Sequence, residues 1–437
     1  MRKMILLAFA ALAAASCTRG LDEAAVRGGD EIRFVVGDFP AFGGSQTRAV
    51  GTEDPGKTEW AEGDELLVEL GNNSYGSQYA TVTFNGEGWE LKSGTLVYKE
   101  GDPAYVPHVY YAPGYTWGSD GKLALKEGKV AGTGEYIEGS GRITGDGQEI
   151  TVSFSTAKRG YSRLRIATLP NESVAVTVEF FTPAGSTSDV SDTYTLHSDA
   201  NGNAYLYGRF VNNSTVSVKY DNVVLADYWF SQATENGTSY ALDATVVSLE
   251  GMSSEEIDAV VQKIADEFSA GKTRFNIRLA AEPGEEVFKG IHYGLMEAWY
   301  RSIDLTLMGC EKIPAEAFKS WTMLKSVTLP DVSEIGKSAF LGCSWLEKVV
   351  FGTPLKEVYG DPESSYYPEG GIFAGCSTDM IDLVLSGEQN MMASKLVDGE
   401  FVQIAQDGQP YKGCSDHYYH KFIGYTFKSV TCGDDTH

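Results

Sequence analysis

Three residues near the C-terminus have the types and the spacing of metal ligands. Cys414, His417 and His420 offer one thiol and two imidazoles, and Asp416 or Cys432 could supply a fourth ligand. Structural zinc sites use four ligands of this kind in tetrahedral geometry. Spacing alone favours the simpler interpretation, in which the two histidines are surface residues. We therefore predict no metal ion or other cofactor, and these three residues are the weak candidates for a metal site.

Cys17 has the sequence context of a lipid attachment site. Arg2 and Lys3 precede an apolar run from Ile5 to Ala15, and small residues then lead into Cys17. This order is typical of a secretory signal peptide, and the apolar run is too short to span a bilayer. The junction resembles a bacterial lipobox, which implies a signal peptide over residues 1–16 and a diacylated cysteine at the mature N-terminus. The alternative is an ordinary secretory signal followed by a chance cysteine.

Two acidic residues after Cys17 indicate where the protein is exported. Asp22 and Glu23 loosely resemble the export signal of surface lipoproteins in Bacteroidota-type bacteria. The resemblance implies an outer-membrane protein that is lipid-anchored and exposed at the cell surface. Residues 17–50 are otherwise small, polar and glycine-rich, and we interpret them as a tether with room for one strand at Ile32 to Val36.

The chain of 437 residues is strongly acidic and has none of the common catalytic signatures. Its net charge of −25 argues against nucleic-acid binding, because phosphate contacts need a basic face. The sequence contains no Gly-x-Ser-x-Gly elbow, no His-Glu-x-x-His helix and no P-loop, and its six histidines are widely spread. We therefore predict that the protein is not an enzyme.

A short apolar pattern recurs in the second half of the chain and predicts the elements that would position a binding surface. Ile291, Ile313 and Ile335 stand 22 residues apart. At the same offset, four apolar residues of one copy superpose on four of the next, which pairs Phe318 with Phe340, Leu324 with Leu346, Val327 with Val349 and Leu329 with Phe351. A fixed period of this length is typical of a solenoid, whose repeats bury their apolar sides against each other. The pattern closely resembles BspA-like leucine-rich repeats, a cell-surface family.

The flanks of the repeats predict where the solenoid begins and ends. Residues 291–310 are a degenerate first copy, and the last fifty residues lose the period, which favours a C-terminal cap. Ser253 and Glu256 fit a capping box before an amphipathic helix that ends at Gly271, and a strand follows. We predict that this helix and strand form the N-terminal cap of a domain over residues 251–437, with a separate small α/β element as the alternative.

The repeat register assigns two cysteines to the core. Cys343 and Cys376 occupy one repeat position, which Trp321 fills in the preceding copy. A position that accepts either cysteine or tryptophan is a packing position, so we predict free, buried thiols there. Cys414 and Cys432 lie close enough in sequence to form a disulfide in an oxidising compartment, although Cys414 also fits another packing position of the same kind.

An insertion interrupts the repeats at residues 361–370 and is rich in Pro, Ser and Tyr. Insertions between repeats form loops on one face of a solenoid. We therefore predict a binding loop at Asp361, Tyr366 and Tyr367, next to an open face of the strands.

The first half of the chain predicts short strands joined by tight turns, because it is rich in turn residues and lacks helical periodicity. Gly63-Asp64 predicts a turn before a strand over residues 65–70, and Asn85-Gly86 predicts a hairpin. Asn201-Gly202, between two further alternating runs, favours a second hairpin. This half is therefore predicted to be all-β.

Three segments of this half resemble the fimbrillin, or type V pilin-like, family. They are Thr47-Arg48-Ala49, Trp60-Ala-Glu-Gly-Asp64 and Val109-Tyr-Tyr-Ala-Pro113. The resemblance implies a fimbrillin-like β-sandwich region over residues 51–222, and the family's precedent implies cleavage after Arg48. An uncut tether is the alternative. The length favours one full sandwich with a reduced second sheet.

A cluster of aromatic residues in the same region has two interpretations. Exposed aromatic rings stack on sugars, which would make this cluster a glycan face, whereas a core strand would bury every second ring. The cluster consists of Tyr105, Tyr110, Tyr111, Tyr115 and Trp117.

Together these patterns predict a mainly β fold with some α, in which a β-sandwich region is joined by residues 223–250 to a short leucine-rich-repeat solenoid with a helical N-terminal cap. The resemblances imply a non-enzymatic cell-surface lipoprotein for adhesion or partner binding. Since many residues follow the sandwich, its last strand has no free tail to donate, so we expect an accessory or tip pilin-like subunit. The expected partner is a host or bacterial surface protein or glycan. The alternative is a glycan-binding lipoprotein of a polysaccharide-uptake system.

Overall fold

The computed structural model is mainly β, as predicted, with two α-helices in the part of the chain that it describes. The described residues are 32–42, 56–71, 76–98, 105–144, 149–154, 159–295, 301–359, 371–387, 390–397, 400–404, 411–412, 421–422, 425–433 and 435–436.

The first sheet is closed on itself. The first nine strands are β1 Arg33–Val36, β2 Glu65–Leu70, β3 Gln78–Phe84, β4 Trp89–Gly94, β5 Tyr105–Tyr111, β6 Tyr115–Trp117, β7 Leu123–Leu125, β8 Ile137–Thr144 and β9 Glu149–Ser153. Seven of them form a ring in the order β1-β4-β3-β2-β5-β8-β9, while β6 and β7 pair as a separate hairpin. The ring differs from two separate sandwich sheets because β1 pairs with β9 and also bridges to β4.

Turn chemistry sets the predicted reversals in this sheet. Gly63 has a φ of 89°, a left-handed conformation that glycine adopts without steric cost. The Asp64 N–H next to it donates to the Ala61 carbonyl at 3.0 Å. Asn85 then begins the turn between β3 and β4, which pair in antiparallel register from Phe84 opposite Trp89. The turn at Gly63-Asp64 and the hairpin at Asn85-Gly86 are therefore confirmed.

The second sheet is built on one long strand. Its strands are β10 Ser162–Ala167, β11 Ser173–Pro183, β12 Val190–His197, β13 Asn203–Tyr220, β14 Val223–Trp229 and β15 Ser239–Asp243. Their order is β12-β11-β13-β10-β15, and β14 pairs with β13.

The hairpin predicted at Asn201-Gly202 is wrong in its strand pairing. The turn itself is present, since the Gly202 N–H donates to the Asp199 carbonyl at 2.9 Å. However, β12 pairs with β11, and the start of β13 pairs with β10. The turn therefore carries the chain to the far side of β11, because the long β13 reaches β10 at one end and β11 at the other.

The remaining elements are two helices and the strands of several sheets, and we call the largest of these sheets the ladder. They are β16 Val246–Ser248, α1 Ser254–Ser269, β17 Arg274–Arg278, α2 Glu285–Leu295, β18 Ile303–Met308, β19 Lys312–Ile313, β20 Leu324–Leu329, β21 Glu334–Ile335, β22 Lys348–Phe351, β23 Glu357–Tyr359, β24 Asp382–Leu385, β25 Asn390–Val397, β26 Glu400–Ile404, β27 Tyr411–Lys412, β28 Lys421–Phe422, β29 Tyr425–Thr426, β30 Ser429–Cys432 and β31 Asp435–Thr436. The ladder runs β16-β17-β18-β20-β22-β24-β30, with all neighbours parallel, and β31 pairs antiparallel at its end.

The register of the ladder confirms the predicted alignment of apolar residues. Val327 pairs with Val349 and Leu329 with Phe351. Ile313 and Ile335 pair in a smaller sheet beside the ladder, which contains β19 and β21. The 22-residue offset in the sequence is therefore the offset between β18 and β20 and between β20 and β22.

The ends of the ladder agree with the prediction in one place and differ in another. The Ser253 hydroxyl accepts the Glu256 N–H, and the Glu256 carboxylate accepts the Ser253 N–H, so the predicted capping box of α1 is present. Ile291 lies in helix α2 and not in a short strand like Ile313 and Ile335. It is nevertheless fully buried, because α2 covers the same core that the strands bury.

Candidate functional site

The ladder has two faces, because alternate residues of a strand point to opposite sides. The residues on the buried side belong to one continuous core and include Leu305, Val327, Val349 and Leu383. On the opposite side Thr306 is buried, whereas Thr328, Val350 and Val384 are half-buried. We call this second side the strand face. The sequence predicts an open strand face next to the insertion, and the insertion itself lies outside the described part of the chain.

A row of charged and hydroxyl residues crosses the strand face from one strand to the next. In register, the row is Asp304, Ser326, Lys348, Asp382 and Ser429. The Ser326 hydroxyl donates to Asp304, and the Ser429 hydroxyl donates to Asp382 at 2.6 Å. Lys348 is exposed between the two acids, and among the described residues it has no ion pair within 4.0 Å.

Asp382 is held as a carboxylate by its neighbours. Burial by itself would raise its pKa, but hydrogen bonds from Lys428 and Ser429 and the charge of Lys348 together hold the pKa below its usual value. Lys428 Nζ lies 2.8 Å from one carboxylate oxygen. The row therefore keeps a fixed negative charge beside the exposed ammonium of Lys348 at neutral pH.

Strand β14 of the second sheet forms a wall at one side of the strand face. The Asn276 side-chain amide donates to the carbonyls of Leu225 and Thr245, both at 3.1 Å. Arg274 and Asp227 form an ion pair at 3.8 Å nearby. Between this wall and the strands lies a groove of about 570 Å³, lined by residues of β14, β18, β20, β22 and β24. None of the residues that line it is aromatic.

The two cysteines that the register assigned to the core are packing residues, as predicted. Cys343 is fully buried and Cys376 is half-buried, and both thiols are free. The Cys343 thiol donates to the Phe318 carbonyl at 3.0 Å, and the Cys376 thiol donates to the Phe340 carbonyl at 2.9 Å. Each thiol therefore ties one repeat to the one before it.

Two of the three segments that resemble fimbrillins, at residues 60–64 and 109–113, contact residues 37–42, which follow β1. The indole N–H of Trp60 donates to the Gly37 carbonyl at 2.8 Å. Tyr111 packs against the Phe39 ring with the centroids 5.5 Å apart. Arg159, which is fully buried, donates from Nε and Nη2 to the Pro40 carbonyl at 3.0 and 2.7 Å. Sequence reasoning missed Arg159, because a single charged residue in a polar stretch gives no periodic signal.

The predicted aromatic cluster is packed rather than freely exposed. Tyr111 is buried, while Tyr110, Tyr115 and Trp117 are half-buried. Tyr115 meets Tyr136 edge to face at 5.1 Å, and the Trp117 indole N–H donates to a backbone carbonyl of β3. Burial raises the pKa of Tyr110, Tyr111 and Tyr115, and it raises the pKa of the neighbouring Tyr136 to about 12. The rings therefore pack mainly against the protein itself. Only the exposed edges of Tyr110 and Trp117 are available to contact a ligand.

No family model matches the sequence, and no curated protein matches it. Among solved structures, the chain is similar to the crystal structure of a C-terminal fragment of the pilus adhesin SpaC from Lactobacillus rhamnosus GG. The two are 13% identical, and the alignment covers 49% of this chain and 96% of that chain with a TM-score of 0.13. A similarity this weak supports no inference about the fold or the function of this chain.

Several predicted site residues lie outside the described part of the chain. They are the lipidation site Cys17, the processing site Arg48, the insertion residues Asp361, Tyr366 and Tyr367, and the weak metal candidates Cys414, His417 and His420. Cys432 is disulfide-bonded. Within the described residues, no group of three or more His, Cys, Asp or Glu is arranged to hold a metal ion. No helix of the described ranges is long and apolar enough to cross a membrane.

Proposed function

We propose that this protein is a non-enzymatic lipoprotein of the bacterial cell surface that binds a partner through the strand face. The observation that carries the proposal is an uncovered parallel sheet. Parallel sheets in compact proteins are normally covered on both faces, usually by helices. Here the core covers one face of β20, β22 and β24, whereas an open groove lined in part by the exposed Lys348 occupies the other. A binding partner is the natural cover for such a face.

We also propose a domain scheme that rests on the sequence resemblances. In this scheme a signal peptide over residues 1–16 and a lipidated Cys17 precede a tether over residues 17–50. Residues 51–222 form a fimbrillin-like β-sandwich region, and a leucine-rich-repeat domain covers residues 251–437. The predicted linker over residues 223–250 is not a plain connection, because it contains β14 and β15 of the second sheet and β16 of the ladder. The pairing of strands at the repeat offset supports the solenoid, and the contact of Trp60 with the segment after β1 supports the first region.

An accessory or tip role in a pilin-like assembly is part of the same proposal. Cleavage after Arg48 would separate β1 from the rest of the chain, and β1 closes the first sheet between β4 and β9. Its loss would open the ring and expose two strand edges, which other strands could then fill. Sequencing of the mature N-terminus tests this step, because retained residues 18–48 would rule out processing.

The binding role is tested with variants of the strand face in the full-length protein. Immobilised fibronectin, laminin, collagen and mucin are the probes, and equilibrium binding is measured by biolayer interferometry. Ser326→Tyr fills the groove and Lys348→Glu reverses its exposed charge, so each is expected to weaken binding at least tenfold, or about 1.4 kcal/mol. Lys319→Glu, at an exposed residue paired with Glu316, is the matched control. Unchanged binding in both groove variants would contradict the proposal.

A second candidate function is a glycan-binding lipoprotein of a polysaccharide-uptake system. The half-exposed rings of Tyr110 and Trp117 favour it, since partly exposed aromatic edges can contact sugars. A glycan array probed with the full-length protein and its Tyr110→Ala variant distinguishes the two functions. Glycan binding that this variant loses, without any binding to the four protein and mucin probes, would favour the second candidate.

A further inference from the structure

Two aromatic side chains stand exposed on the outer face of the second sheet. Trp229, the last residue of β14, is 57% exposed, and Phe180 in β11 is 54% exposed. Within the described residues, the Trp229 ring contacts no other ring and its indole N–H makes no hydrogen bond. By contrast, the indole N–H groups of Trp60 and Trp117 both donate to backbone carbonyls. Packing therefore explains those two tryptophans, but it does not explain Trp229.

The backbone conformation of Phe180 also indicates that its ring does not contribute to the stability of the fold. Phe180 has a φ of 56°, a left-handed conformation that costs a bulky residue roughly 1 kcal/mol or more. Hydrogen bonds from Phe180 N–H to the Ser191 hydroxyl and from the Ser214 hydroxyl to the Phe180 carbonyl hold it there. Glycine would adopt the same backbone without strain. An exposed ring on strained backbone is characteristic of a functional position.

The register places these two aromatic residues on one face with polar groups between them. Trp229 pairs with Thr215, and Thr215 pairs with Glu179 on the next strand. The register shift after Glu179 leaves both Glu179 and Phe180 exposed, before the buried Phe181. Neighbouring strands lie about 4.8 Å apart, so the backbones that carry the two rings stand roughly 10 Å apart. The Thr215 hydroxyl donates to Glu179 Oε2 at 3.0 Å in the space between.

The surrounding surface is rich in hydroxyl groups. Thr177 and Thr193 lie one step further along the same face, with their hydroxyl oxygens 2.9 Å apart. Hydroxyls and a carboxylate offer both donors and acceptors to a ligand, and the aromatic rings offer flat apolar surfaces. A sugar ring needs the same combination, because its C–H groups pack on an aromatic face while its hydroxyls form hydrogen bonds. A protein contact would instead require a continuous apolar centre, and here the centre is polar.

We infer that the outer face of the second sheet is a carbohydrate-binding site. Trp229 and Phe180 are the stacking surfaces, and Glu179 with Thr215 forms the hydrogen bonds between them. The row from Trp229 to Phe180 contains a carboxylate and no cation, so the ligand is a neutral oligosaccharide rather than an acidic one. This site is separate from the strand face and from the aromatic cluster of the first sheet, and it stands whether or not either of those binds a partner.

The test is affinity electrophoresis of the full-length protein through native gels that contain starch, barley β-glucan, xylan or galactomannan. At least one polysaccharide is expected to retard the wild-type protein. Trp229→Ala is expected to lose at least tenfold in affinity and Phe180→Gly several-fold, while thermal unfolding of Phe180→Gly occurs at the wild-type temperature or above it. The matched control is Trp345→Ala at another exposed tryptophan, which is expected to behave as wild type.

Three results would overturn the inference. The first is wild-type migration unaffected by all four polysaccharides. The second is retardation that Trp229→Ala and Phe180→Gly retain, or that Tyr110→Ala alone abolishes. The third is loss of binding to fibronectin, laminin or collagen in Trp229→Ala without any retardation of the wild type, which would make this face a protein contact.

Discussion

The ammonium of Lys272 lies 2.9 Å from the Asp243 carboxylate, where the second sheet meets the ladder. Asp243 is the last residue of β15, whereas Lys272 stands between α1 and β17. The same ammonium lies 3.0 Å from Glu267 of α1 and donates to the Thr245 hydroxyl at 3.1 Å. One side chain, only 12% exposed, therefore ties the second sheet to the helix that begins the ladder.

Removal of this ammonium should destabilise the junction. Lys272→Met leaves the partly buried carboxylates of Asp243 and Glu267 without their cation, and breaking a buried ion pair in this way costs about 3 kcal/mol. Urea unfolding followed by circular dichroism measures the loss. Lys263→Met is the matched control, because Lys263 pairs with the same Glu267 but is 70% exposed, so a loss below about 0.5 kcal/mol is expected. Equal losses in the two variants would show that the junction does not depend on Lys272.

The same contact predicts how stability depends on pH. Burial would raise the pKa of Asp243, but the charge of Lys272 and hydrogen bonds from Thr245 hold it below its ordinary value of 3.8. A lowered pKa contributes stability that is present above the unfolded value and is lost as the pH falls through the folded one. We therefore expect the free energy of unfolding to fall below about pH 4, and Asp243→Asn to reduce this acid loss. A pH series of urea unfolding from pH 2 to 7 measures both, and an unchanged acid slope in Asp243→Asn would refute the prediction.

Arg159 should be required for the segment that follows β1. Its guanidinium donates to the Pro40 carbonyl, to Glu135 and to the Tyr161 hydroxyl, and lies 3.8 Å from the Phe42 ring centroid. Arg159→Met leaves the Glu135 carboxylate without its cation, so a loss of about 3 to 5 kcal/mol and faster proteolysis within residues 32–42 are expected.

The matched control for this prediction is Arg33→Met. Arg33 lies in β1 itself, but its side chain is 46% exposed and its contact with Glu149 is 3.9 Å long. A surface ion pair of this kind contributes at most about 1 kcal/mol. Limited proteolysis with mass spectrometry identifies the cut sites, and equal resistance of Arg159→Met and wild type would argue against the role given to Arg159.

The ladder could be predicted from the sequence because the apolar residues that pair between neighbouring strands recur at a fixed spacing in the sequence. Once Val327 and Val349 superpose at the repeat offset, the strand pairing follows, and so does the burial of Cys343. The capping box at Ser253 was equally local, since both of its hydrogen bonds join residues three positions apart. Local and periodic patterns were therefore sufficient to predict most of the second half of the fold.

The rest depended on contacts between distant segments, which local patterns do not specify. The turn at Asn201-Gly202 could be read from its residue types, but those types do not say which strand becomes the neighbour of β12. Alternation in the repeats likewise shows that Val350 points away from the core, but not whether another part of the chain covers it, and the segment that contains Trp229 has no clear period. The contact of Asn276 with Leu225, which places a wall beside the strand face, joins two sheets with unrelated patterns.

Two of the three described free thiols, Cys310 and Cys343, should resist modification in the folded protein. Burial raises the pKa of Cys310 to about 12, and contact with Cys376 together with burial raises that of Cys343 well above its ordinary value. Because the thiolate is the reactive form, Ellman's reagent at pH 8 should label both residues at least roughly tenfold more slowly than in the denatured protein. Peptide mass spectrometry identifies the labelled sites, and rapid labelling of Cys343 before unfolding would contradict its place in the core.

The phenylalanine stack inside the ladder gives the most local prediction. The Phe340 ring lies 4.8 Å from that of Phe318 and 5.2 Å from that of Phe373, with the three rings nearly parallel. Phe340→Ala removes the middle ring and is expected to cost about 3 to 5 kcal/mol. Since the units of a stacked array contact only their neighbours, the loss should appear as faster hydrogen exchange in β20, β22 and β24 and leave the closed first sheet unchanged. Trp345→Ala, at an exposed ring of the same repeat, should change neither quantity. Faster exchange spread evenly over the first sheet as well would mean that the ladder does not unfold as a unit of its own.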